Sequence, residues 1–132
     1  MSSALRTLSF TLLFASNAAH ACLFATTTPP DGWYKWASIL VAADVTEVGK
    51  EAGKPVDVIT GRVVETFQGP EGPQGTITVS VPSRHWASCK LEVPAVGARV
   101  LVALNANSDA MLVPLSAKLA EGLRARKAKE AK

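Results

Sequence analysis

The chain has 132 residues, a formal net charge of +3 and 48% hydrophobic residues. Without a leader-like stretch of 21 residues, 111 remain, which suits one compact domain with a real core and is too short for two. The basicity is local: residues 118–132 carry six basic and two acidic side chains, whereas 22–117 carry seven basic and nine acidic, so a uniformly basic nucleic-acid-binding face is not supported.

Arg6 is the only charge ahead of Cys22, and a short apolar run from Leu8 to Ala15 is followed by Ala19-His20-Ala21. That is the pattern of a secretory signal peptide over 1–21, cleaved after Ala21. The run is shorter than the roughly 20 apolar residues that span a bilayer, and no later segment is long enough, so no transmembrane segment is expected. The mature protein would be secreted or periplasmic and would begin at Cys22. Its one other cysteine is Cys89, and in an oxidising compartment the two are expected to form a disulfide. Closing a loop of that length would add roughly 4 kcal/mol by the loop-entropy model. The alternative is a lipid anchor on Cys22, although Ala19 stands where a lipoprotein leader usually has leucine.

Thr26 to Gly32 contains Pro29-Pro30 and Asp31-Gly32 and predicts an irregular segment. Trp33, Tyr34 and Trp36 follow, either as a lid over one end of the core or as a surface on which a glycan or oligonucleotide stacks. Ser38 to Val48 reads as a first strand, residues 49–55 as a polar turn, and Val56 to Phe67 as a long second strand with Gly61 marking a bulge. After the Gly/Pro-rich loop 69–75, Ile77, Val79 and Val81 alternate with Thr76, Thr78 and Ser80, the pattern of a half-buried third strand. A connecting segment from Pro82 to Ala98 carries Cys89. Arg99 to Leu104 and Ala110 to Val113 predict two further strands. Ser116 is placed to cap a helix with Leu115, Leu119 and Leu123 as its apolar stripe, which Gly122 weakens by about 1 kcal/mol relative to alanine. The whole predicts an all-β dominated fold, a small closed five-stranded barrel over residues 22–117 followed by a basic C-terminal α-helix over 118–132.

No catalytic or cofactor motif is present: there is no Gly-x-Ser-x-Gly, His-Glu-x-x-His, phosphate loop or Cys-x-x-Cys. The chain is therefore read as a non-enzyme without a cofactor, and as a monomer. His85, four residues before Cys89, could form a Cys–His nucleophile pair, but a disulfide at Cys89 would leave no thiolate. The basic tail reads as a solvated helix end whose cations complement the helix dipole. The N-terminus carries the sharpest possibility. A metalloprotease zinc keeps one open position. A neutral Cys22 amine and its adjacent carbonyl could occupy it, with Leu23 entering the neighbouring specificity pocket.

These residues resemble the netrin-like domain, and within it the inhibitory domain of the tissue inhibitors of metalloproteinases. Cys22 and Cys89 lie 67 positions apart, close to the family's spacing of its first bridge. Ser38–Val45, Val58–Gly69, and Ile77–Pro82 running on to Ala87-Ser88-Cys89 look like the family's first three strands. Leu112–Ser116 resembles its lead-in to the C-terminal helix. The resemblance implies an OB-fold barrel and inhibition of a zinc metalloprotease. It assigns Cys22 to the target's zinc through the amine and carbonyl, Leu23 to the pocket, and Ala87 with Ser88 to contacts alongside. The chain departs from the family at Phe24, where a second cysteine is usual, in lacking every other bridge, and in the bulk of Leu23. A non-inhibitory binding module remains the alternative function.

Overall fold

The structure, a computed structural model, describes residues 28–70, 75–107 and 109–130. Three helices, α1 (Pro30–Trp36), α2 (Arg84–Ser88) and α3 (Ala117–Glu130), accompany five strands, β1 (Ile39–Lys50), β2 (Val56–Gln68), β3 (Thr76–Pro82), β4 (Arg99–Leu104) and β5 (Ala110–Pro114). All strand pairs are antiparallel, in the order β3-β2-β1-β4-β5. The fold is mostly β with a C-terminal helix, as the sequence predicts.

The central strands are buried on both faces, and two clusters explain why. Val41, Ala43 and Val45 of β1 face Ile59 and Val63 of β2, Ile77, Val79 and Val81 of β3, Val100 and Val102 of β4, and Leu112 of β5. β3 and β5 are the two edges of the sheet, yet they share this cluster and approach one another, so the sheet curls around it. No ladder of hydrogen bonds joins these edges among the described residues. The alternate β1 and β4 residues, Leu40, Ala42, Leu101 and Ala103, face outward into a second cluster roofed by α1 and α3. β3 has no such roof and keeps the buried–exposed alternation of a strand with one wet face.

Gly61 works as predicted. It pairs with Val45 while Thr60 pairs with Glu47, leaving Thr46 unopposed as a bulge. A Cβ on Gly61 would lie 3.1 Å from the Ala43 Cβ and 3.2 Å from the Asp44 carbonyl oxygen, so glycine permits the close approach of β1.

One expectation is corrected. The segment ahead of the aromatic cluster is not irregular throughout, because α1 starts at Pro30. Proline is compatible with a first helical turn, where its missing N–H has no intrahelical partner to lose, and Asp31 favours the positive end of the helix dipole. Trp33 and Tyr34 are buried, and Trp36 packs against the same cluster. Trp33 and Tyr34 form a lid on the core and present no open stacking face. The Tyr34 hydroxyl shares its proton between the Phe67 carbonyl at 3.1 Å and the Leu123 carbonyl at 3.2 Å. The Gln68 amide donates to the Tyr34 carbonyl at 3.2 Å and to the Ala37 carbonyl, tying the end of α1 to β2.

At α3, the Ser116 hydroxyl accepts the Leu119 N–H at 3.1 Å, the predicted cap. Gly122 sits where a Cβ would come 2.8 Å from the Pro30 ring, so the helix-weakening glycine admits α1. The basic tail is docked more firmly than a solvated helix end. Arg124 donates twice to Glu65, at 2.8 and 2.7 Å, and Lys127 donates to the Thr66 carbonyl at 2.6 Å. Arg126 bonds Asp31 at 2.6 Å and lies over the Tyr34 ring. Glu65 and Asp31 therefore compensate charges that the sequence leaves without partners.

Candidate functional site

The predicted site residues fall into two groups. Cys22 and Leu23, the leader and the lipidation point lie outside the described residues, and so does any bridge between Cys22 and Cys89. Ala87, Ser88 and Cys89 lie on and just after α2, the short helix inside the segment that connects β3 to β4.

Local chemistry builds this turn. The Ser83 N–H bonds the Pro55 carbonyl at 2.9 Å, fastening the exit of β3 beside the start of β2. One turn of helix follows, and the Cys89 N–H closes on the His85 carbonyl at 3.0 Å. Lys90 then takes a left-handed φ of 55°, a reversal that lets the Leu91 N–H return to the Trp86 carbonyl at 2.8 Å. The outcome is a turn with two sides. His85 and Trp86 are buried, whereas Ala87 and Ser88 are exposed.

The buried side is held by polar contacts. Trp86 Nε1 donates to Asp57 Oδ2 at 2.7 Å, and the Asp57 side chain is only 5% exposed. His85 stands edge-on to Trp86, with ring centroids 5.0 Å apart and planes at 72°. His85 Nε2 lies 3.4 Å from the Leu112 carbonyl of β5, and Nδ1 lies 3.8 Å from Cys89 Sγ. Burial pushes the His85 imidazole below its usual pKa, against the opposing pull of the Leu112 carbonyl. The Cys–His proximity suggested by the four-residue spacing is therefore real. It also places the sulfur at the edge of the core, next to a histidine that favours its neutral form.

In front of this turn lies a groove of about 650 Å³, bounded by the ends of β1 and β2, by Trp86 and Ala87, and by Leu91 to Val93. Sequence reasoning missed it. The available signal was Asp57, a single acid between Val56 and Val58 at the start of a strand, where a charge has to find a partner. Among the described residues, no group of three or more His, Cys, Asp or Glu side chains could hold a metal ion, and no helix is long and apolar enough to cross a membrane. The chain matches no known protein-family model, and it matches no curated protein.

Proposed function

We propose that the mature chain is a secreted or periplasmic netrin-like inhibitor of zinc metalloproteases. In this reading the Cys22 α-amine and carbonyl take the open position of the target's zinc, and Leu23 enters the adjoining pocket. The observation that carries it is the two-sided turn of α2. His85 and Trp86 anchor the turn inward, while Ala87 and Ser88 stand exposed directly before Cys89. A disulfide from Cys89 to Cys22 would then deliver the N-terminus beside a rigid, solvent-facing ledge. The strand order supports the same reading, since an OB fold is a five-stranded, partly open Greek-key barrel.

The chemistry sets a pH signature. An α-amine with an ordinary pKa of about 7.7–8.0 must lose its proton to bind zinc, so inhibition strengthens as pH rises towards that range. The test is a metalloprotease panel assayed with the chain starting at Cys22 and with one alanine added before it. The added residue removes the amine from the zinc without touching the barrel. Inhibition by the native start and none by the extended chain is the expected result. Equal inhibition by both would dismiss the zinc-ligating N-terminus, and no inhibition by either would leave a non-inhibitory binding module.

A further inference from the structure

The groove before α2 is built around an acid whose hydrogen bonding is incomplete. Asp57 is 3% exposed, and its Oδ2 is taken by the Trp86 indole N–H. Its Oδ1 has no partner at hydrogen-bonding distance; the nearest cation is Lys50 Nζ at 4.0 Å, on a side chain that is 74% exposed. Ser83 lines the same groove, and its hydroxyl oxygen is buried with no hydrogen-bond partner. A carboxylate oxygen whose counter-charge is the exposed Lys50 and a buried hydroxyl oxygen without a partner belong to residues of one groove, and both can accept from a donor. Val48, Leu91 and Val93 supply apolar wall, and Val48 and Val93 are large side chains left exposed.

The geometry points to a binding site for one primary alkylammonium group, as carried by a lysine side chain of a partner protein or by a free amine. The ammonium would donate to Asp57 Oδ1 and Ser83 Oγ, and the methylene stem would lie along the valines and Leu91, as such stems do on apolar surface. The choice of ammonium over guanidinium follows from the Trp86 bond. A guanidinium gains most from two parallel bonds to both carboxylate oxygens, and here one oxygen is already occupied. Lys50, at the rim, is the resident competitor. The site depends on Asp57, Ser83 and Trp86 and makes no use of Cys22, so it stands or falls apart from the inhibitor reading.

The test is a titration of the mature chain, followed through the Trp86 indole N–H resonance. The probes are Nα-acetyl-lysine methylamide and n-butylammonium, with the arginine and norleucine amides as controls. Both amines should shift that resonance saturably, with the arginine amide about tenfold weaker and the norleucine amide inert. Tighter binding of the lysine amide assigns the site to a polypeptide lysine, and tighter binding of butylammonium to a free amine. Asp57→Asn, which keeps an acceptor for Trp86, should abolish the shift, and Lys50→Ala should strengthen binding. No saturable shift with either amine, an unchanged shift in Asp57→Asn, or weaker binding in Lys50→Ala would each overturn the site.

Discussion

Trp86 donates its indole N–H to Asp57 across 2.7 Å, and this bond joins the turn that carries Ala87 and Ser88 to the start of β2. Both residues are buried, so losing one leaves the other short of its partner. Trp86→Phe keeps most of the ring but strands the carboxylate, and a loss of about 2–3 kcal/mol is expected. Urea unfolding of Trp86→Phe, Asp57→Ala and the double variant checks it. The two losses should be strongly non-additive, and simple additivity would mean that the bond couples nothing.

Gly122 offers a prediction that runs against helix propensity. Alanine is the better helix former by about 1 kcal/mol, yet its Cβ would sit 2.8 Å from the Pro30 ring. Gly122→Ala should therefore lower the thermal midpoint, with an overpacking cost of about 1–3 kcal/mol. In a Pro30→Ala background, the same substitution should cost much less or stabilise.

Tyr34→Phe removes the hydroxyl that serves the Phe67 and Leu123 carbonyls, the bond that holds α1 to both β2 and α3. A loss of about 1–2 kcal/mol is expected in denaturant unfolding. Amide exchange should quicken in α1 and the last turns of α3, while β3, which α1 does not cover, keeps its protection.

Stability should fall in two separate pH windows. Burial holds the His85 imidazole below its usual value of 6.5, so as pH drops below that value the unfolded chain takes up the proton first and folding weakens. The slope cannot exceed about 1.4 kcal/mol per pH unit for one group. Hydrogen bonds from Arg99 and Arg124 hold the Asp44 and Glu65 carboxyls below the usual range. Their stabilisation is present above a pH of about 4 and is lost as pH falls through their lowered values. Urea midpoints from pH 8 to pH 3 should show both losses. His85→Asn should flatten the upper one and leave the lower.

Strands were legible in the sequence wherever burial has a simple period or an unbroken run. β3 alternates because only one of its faces is covered, and β4 spans Arg99–Leu104 as read because both faces of that apolar run are buried. The Ser116 cap was legible for the same reason, since it is a local bond between neighbours. α1 was missed because Pro29-Pro30 and Gly32 argue against a helix locally, while Trp33 and Tyr34 gain by reaching the core beneath α3. α2 is a single turn, too short to show a period. The groove at Asp57 was out of reach because its walls come from β1, β2 and the segment after α2, which only the fold brings together. Ala87 and Ser88 were singled out only through the resemblance, and the inward-facing role of His85 and Trp86 beside them had no local signal.

The most direct measurement is the intact, non-reduced mass of the protein recovered from its native host. The proposal predicts the mass of residues 22–132 less two hydrogens, which requires a free Cys22 amine and a closed bridge to Cys89. A mass increased by acyl chains would mean a membrane-tethered lipoprotein with a blocked amine, and would contradict the inhibitor proposal outright.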